Sequence, residues 1–201
     1  ASYFFNLTDN ISKTDLTRHY LNGSDSTTVY TESNQTTSRN MNHRASLRLE
    51  YMIDSSSALI FTPKFNYQNN SQTNIIDAQN AYSEGGLLSS TQSTYTSKNW
   101  GYNGSGDLLF QHKFKRQYRT ISIDVGTTIN NKFANTTQNA LNTYQTLNDS
   151  SSLDQQAKST GTSYKVNGNI SYTEPAGKSG MVQLTYEPSY TWNKADKETF
   201  N

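Results

Sequence analysis

The feature that most constrains this chain is a period of two. Between Arg44 and Asp54, the residues Ala45, Leu47, Leu49, Tyr51 and Ile53 alternate with Arg44, Ser46, Arg48 and Glu50. Successive side chains of an extended strand point to opposite faces, so this run makes a strand with one apolar and one polar side. Asp54-Ser55-Ser56-Ser57 reads as a tight turn. The alternation then resumes, with Leu59, Phe61, Phe65 and Tyr67 opposed to Thr62, Lys64, Asn66 and Gln68. Two such runs joined by a short polar connection form a β-hairpin.

The same design occurs twice more. Trp100, Tyr102, Leu108, Phe110 and Phe114 alternate with Asn103, Ser105, Asp107, Gln111 and Lys113. After a turn near Lys115-Arg116-Gln117, Ile121, Ile123, Val125 and Ile129 alternate with Ser122, Asp124, Thr128 and Asn130. In the third hairpin Tyr164, Val166, Ile170 and Tyr172 lead into Glu174-Pro175-Ala176-Gly177-Lys178, where Pro and Gly favour a turn. Val182, Leu184, Tyr186, Tyr190 and Trp192 return. An opening strand carries Tyr3, Phe5, Leu7 and Ile11, which makes seven strands.

Long polar stretches at about residues 13–42, 69–98 and 131–161 separate the hairpins. Loops beyond roughly 12–15 residues are uncommon inside compact domains. Long loops are therefore expected at one end of the strands and tight turns at the other, with several loops continuing as hairpin ribbons. Tyr20, Val29 and Tyr30 are placed to line one ribbon, and Tyr95 begins another. Both ends of the sequence read as cuts through a continuing polypeptide.

Composition narrows the function classes. The 17 basic and 16 acidic residues leave a net charge of +1, so no bulk field draws nucleic acid or anionic lipid. Hydrophobic residues are 32% and charged residues 16%, with mean hydropathy -0.84; the remainder is neutral amide and hydroxyl. Aromatics at 12% are too many for a disordered linker. Cysteine is absent, which removes disulfides and thiolate metal sites. No apolar run approaches the length of a spanning helix, but barrel strands are apolar only at alternate positions.

A soluble β-sandwich alternates in the same way as a membrane barrel. Short turns opposed to long connections, aromatic residues bracketing the apolar faces, and a mostly uncharged polar face favour the barrel. The expected fold is all-β: an antiparallel up-and-down meander over residues 1–201, forming a section of a transmembrane β-barrel with short periplasmic turns and long extracellular loops. A soluble β-sandwich adhesin or carbohydrate-binding module is the alternative.

The segments Asn42–Asn70 and Tyr164–Trp192, each a strand, a tight turn and a returning strand, resemble the TonB-dependent receptor-type outer-membrane β-barrels, especially those with Asn- and Thr-rich extracellular loops. The resemblance implies a barrel of about 22 strands with a plugged lumen, serving nutrient uptake in the Gram-negative cell outer membrane. It further implies, as partners, outer-membrane lipid, the remaining strands and plug of a parent protein, a periplasmic energy-coupling protein and a surface lipoprotein. The sequence itself contains neither plug nor coupling segment, so energised transport is expected only of a larger parent.

No enzyme chemistry is legible. His19, His43 and His112 lack metal-ligand spacing, and the serines are too numerous to single out a nucleophile. Neither a cofactor nor a metal is expected. Lys113, Lys115, Arg116 and Arg119 form a basic cluster that reads as a solvated turn; with no second patch, nucleic acid is not an expected partner. The candidate ligand-binding residues are the loop aromatics Tyr20, Tyr82, Tyr95 and Tyr144. Arg48, Glu50, Lys64, Asp107 and Asp124 are expected to face a lumen.

Overall fold

The computed structural model describes residues 1–22, 26–145, 148–177 and 180–201; Lys178, expected in the third turn, lies outside them. The described residues form one antiparallel sheet of nine strands and no helix. The strands are β1 (Ser2–Asn22), β2 (Ser26–Ser46), β3 (Leu49–Met52), β4 (Ser57–Tyr82) and β5 (Leu87–Lys113). Then follow β6 (Thr120–Tyr144), β7 (Asp149–Ala176), β8 (Gly180–Tyr186) and β9 (Ser189–Phe200). The sheet order is β1-β2-β4-β5-β6-β7-β8, with β3 following β2 beside β4 and β9 following β8 beside β7.

The nine strands are seven continuous runs. β2 and β3 keep one register along β4, from Val29 opposite Ala81 to Met52 opposite Ala58. β8 and β9 likewise keep one register along β7. Proline marks both interruptions. Leu47 donates its N–H to the Pro63 carbonyl at 3.0 Å, and Gly168 donates to that of Pro188 at 2.8 Å. Neither proline has an N–H to return, so each close pair keeps one of its two ladder bonds.

The stretches expected as long loops are strand. Residues 69–82 and 87–98 belong to β4 and β5, strands of 26 and 27 residues whose pairing is interrupted by one register shift between Asn80 and Ala81. β6 and β7 carry residues 131–144 and 149–161, and β1 and β2 carry most of 13–42. The period-two signal fades there because both faces are polar. The backbone ladder persists without an apolar side.

There is no second layer among the described residues, where strands contact only their ladder neighbours. A packed sheet would bury its apolar side, yet no large side chain here is fully buried. Phe65 is 49% and Leu184 66% exposed. The polar side is the more sheltered one. Along β4, Ile60, Thr62, Asn66 and Asn74 are half-buried and Ala78 is buried, while Phe61 and Phe65 on the other side are exposed.

Candidate functional site

The registers sort every side chain onto one of two faces, because residues directly opposite share a side. Five successive cross-strand rows of the apolar face, from Ser57–His112–Ile121–Tyr172 to Ala45–Phe65–Gly104–Ile129–Tyr164, contain no Asp, Glu, Lys or Arg. Aromatic residues border this band at both limits. On the ribbon side, Trp100 stacks on Phe133 with centroids 4.0 Å apart, Tyr164 on Trp192 at 5.6 Å, and Phe65 near Tyr102 at 6.4 Å. On the turn side, Phe114 meets His112 and Tyr172 edge-on. The rows of Ser57 and of Asn69 lie twelve residues apart, about 40 Å of strand, which rises roughly 30 Å when tilted about 40°.

The polar face carries Arg48, Glu50, Lys64, Asp107 and Asp124 together, as their alternation required. Arg48 Nε donates to Glu50 at 3.1 Å. Higher on the same face, amides accumulate: Asn66, Asn103 and Asn130 share one row, and Asn70 and Asn99 another. Between these rows lie Gly101, Lys132 and Gly161, directly opposite one another. The two missing side chains open a depression of about 590 Å³ beside Lys132, walled by those amides and by Gln68. Gly101 cannot be replaced freely, since a Cβ there would lie 2.5 Å from the Asn131 carbonyl oxygen. Sequence reasoning missed this depression. Its signal, two glycines in register on β5 and β7 flanking a lysine on β6, exists only once the pairing is known.

The four tyrosines expected in loops, Tyr20, Tyr82, Tyr95 and Tyr144, are strand residues of β1, β4, β5 and β6; all sit on the polar face, beyond the aromatic border, and Tyr30 joins them. Tyr30 is directly opposite Arg18 and Asn80, so Tyr20 and Tyr82 flank it diagonally on the two adjacent strands. The Tyr30 hydroxyl donates to Glu32 at 2.6 Å. Tyr144 lies in the same row beyond Ser89, and Tyr95 three rows nearer the band. Within the band the tyrosines take the opposite face: Tyr51, Tyr67, Tyr102, Tyr164 and Tyr190 are on the apolar side.

Charge is partitioned in the ribbons as well. Beyond the aromatic border, the polar face holds two cations and two anions among the described strand residues: Arg18, Lys197, Glu32 and Asp149. The other face carries Asp9, Lys13, Asp15, Arg39, Asp77 and Lys98, among others. The oxygens Asn42 Oδ1, Asn66 Oδ1, Asn80 Oδ1 and Asp124 Oδ1 are covered and accept no hydrogen bond from the protein; all four are on the polar face.

At the turn end, the basic cluster is partly neutralised. Glu174 accepts from Arg116 Nη1 at 2.7 Å, from Arg119 Nε at 2.7 Å and from the Tyr172 hydroxyl at 2.7 Å. Its carboxyl is held down at about 2, first by the Arg119 hydrogen bonds and then by Tyr172. The expected solvated turn thus contains a three-partner clamp joining the β5–β6 turn to β7.

No protein-family profile matches the sequence, and no curated protein matches it. Among solved structures, the membrane pore complex of pneumolysin is similar at 7% identity and a TM-score of 0.17, over 96% of this chain and 31% of that one. A likeness at that level carries no argument, so fold and site stand on the residues described above.

Proposed function

We propose that this chain is a wall section of a β-barrel in the outer membrane of a Gram-negative cell, part of a receptor or transporter for nutrient uptake of the TonB-dependent type. One observation carries this reading: an uncovered apolar face, charge-free over five rows and bordered by aromatic residues on both sides. Soluble monomers rarely expose a contiguous apolar patch beyond a few hundred Å². Lipid tails are the solvent that suits such a face, and Tyr and Trp suit its borders because one end of each ring is apolar and the other polar. The polar face then lines the aqueous interior, with Arg48, Glu50, Lys64, Asp107 and Asp124 among its groups.

Strands far longer than the nine to eleven residues that cross a bilayer carry the sheet beyond the membrane as ribbons. Seven antiparallel runs leave β1 and the β8–β9 run pointing the same way. An antiparallel barrel closes only through an odd number of further strands, which a parent protein supplies together with its plug. The periplasmic coupling protein and surface lipoprotein belong to that parent. A soluble β-sandwich adhesin or carbohydrate-binding module, the competing reading, requires a second sheet over the apolar face, and the single layer disfavours it.

Trp100 and Trp192 are the two tryptophans, both on the apolar face at the ribbon-side border. In bilayers, bromine atoms near the lipid carbonyls are expected to quench their fluorescence more than bromine at the chain ends, and aqueous iodide to quench little. Emission indifferent to every brominated lipid and fully open to iodide rejects the membrane reading.

A further inference from the structure

We infer that the polar face of the ribbons, around Tyr20, Tyr30, Tyr82 and Tyr144, is a capture site for a neutral polyhydroxylated ligand, an oligosaccharide in chemical class. The inference rests on the membrane reading above, because that reading makes this face the mouth of the aqueous interior.

Its first support is the change of side. Tyrosines in the band lie on the apolar face, where lipid explains them; beyond the border the same residue type crosses to the other face. There the surroundings are mostly hydroxyl and amide, with Leu16, Ile76 and the buried Ala78 as the nearby apolar side chains. Tyr20 and Tyr82 lie on either side of Thr28, each diagonal to Tyr30 on the strand between them. Tyr20 and Tyr82 are 46% and 44% exposed, so two ring faces remain open. The Tyr30–Glu32 hydrogen bond fixes the third ring before any ligand arrives. Beside it, the β4–β5 ladder shifts register between Asn80 and Ala81, a bulge of the kind that re-aims side chains next to binding sites.

The second support is chemical. The face is almost uncharged, with Arg18 and Asp149 offset against Lys197 and a Glu32 already bonded to Tyr30. An anion finds no cluster of cations here, and a cation finds no cluster of free carboxylates. Hydroxyls stand among the rings on this face, Thr28 between Tyr20 and Tyr82, and Ser89 between Asn80 and Tyr144. A ligand rich in hydroxyls exchanges hydrogen bonds with these neutral groups, while its C–H faces stack on tyrosine rings. An apolar ligand would strand the amides unpaired.

The test uses the full chain in lipid nanodiscs. The probes are unbranched α-linked and β-linked glucose oligomers, with an oligogalacturonate of equal length as anionic counterpart. Saturation-transfer NMR is expected to show the neutral oligomers bound through their C–H protons. Tyr30→Ala and Tyr82→Ala each weaken binding about three- to tenfold, Tyr82→Phe retains most of it, and the anionic oligomer binds more weakly. Failure of every neutral oligomer to bind, affinity unchanged in both alanine variants, or tighter binding of the anionic oligomer overturns the proposal. Bromolipid quenching of Trp100 and Trp192 on the same samples separates the two readings. Normal quenching without sugar binding removes only the capture site, whereas lost quenching in the unmodified chain removes the membrane reading beneath it.

Discussion

Gly168 and Pro188 face each other across β7 and the β8–β9 run, and a Cβ on Gly168 would lie 3.2 Å from the Pro188 Cγ. The proline ring thus occupies the space that a side chain on its partner would need, at the point where the ladder has already lost one hydrogen bond. The edge of the sheet tolerates a proline because its neighbour is glycine.

That pairing reverses an ordinary expectation. Glycine in a strand interior usually costs about 0.5–1 kcal/mol relative to alanine. Gly104, whose Cβ would meet nothing within 4 Å, is expected to follow the rule, so Gly104→Ala stabilises by about that amount. Gly168→Ala is expected to destabilise by about 1 kcal/mol through crowding against Pro188. Urea unfolding of the two variants in lipid vesicles checks the opposite signs.

Ile123 and Ser122 are adjacent in β6 but lie on different faces, Ile123 between Phe110 and Ile170, Ser122 between Gln111 and Ser171. Arginine on the lipid side of a barrel costs about 2–4 kcal/mol near the bilayer midplane and much less in the interior. Ile123 lies one row inside the turn-side limit, where that cost is reduced, so Ile123→Arg is expected to impair insertion moderately, and Ser122→Arg to leave it nearly unchanged. Heat-modifiable mobility of the folded band reads the difference. Equal effects would show that the two faces meet the same solvent.

The Glu174 clamp gives a pH dependence with a defined sign. Its carboxyl titrates at about 2 in the folded chain against an ordinary 4.5. A depressed carboxyl contributes stability that is complete above the ordinary value and is lost as pH falls from about 4.5 toward 2. Carbon-13 NMR of the labelled Glu174 side chain is expected to show a midpoint near 2, moving up toward 4.5 in Arg119→Gln. A midpoint unmoved by that substitution would place the cause elsewhere.

The Trp100–Phe133 stack, with an interplanar angle of 17°, joins β5 to β6 at the aromatic border. A double-mutant cycle with Trp100→Leu and Phe133→Leu is expected to give a coupling of about 0.5–1.5 kcal/mol. A coupling near zero would mean that each ring interacts with lipid alone.

Much of the fold was legible in the residues themselves. Alternation at Ala45 to Ile53 and at Tyr164 to Tyr172 specifies strands and their sides, because a one-residue slip would invert every side chain. Asp54–Ser57 and Lys115–Gln117 mark the turns between runs. The placement of Arg48, Glu50, Lys64, Asp107 and Asp124 on one face follows from the same parity. The ribbons were less legible: where Thr, Ser and Asn occupy both faces, as at residues 69–74, hydropathy has no period and the strand is held by backbone pairing alone.

Only the tertiary structure decided what lies beside what. Register brings Gly101, Lys132 and Gly161 into one row from three strands, sets Tyr20 and Tyr82 diagonally about Tyr30, and seats Pro188 over Gly168. The physical reason is that parity along a strand is local and can be read from the chain, whereas the offset between strands is summed over every ladder bond and turn. The sequence determined which side each residue takes; the pairing determined its neighbours.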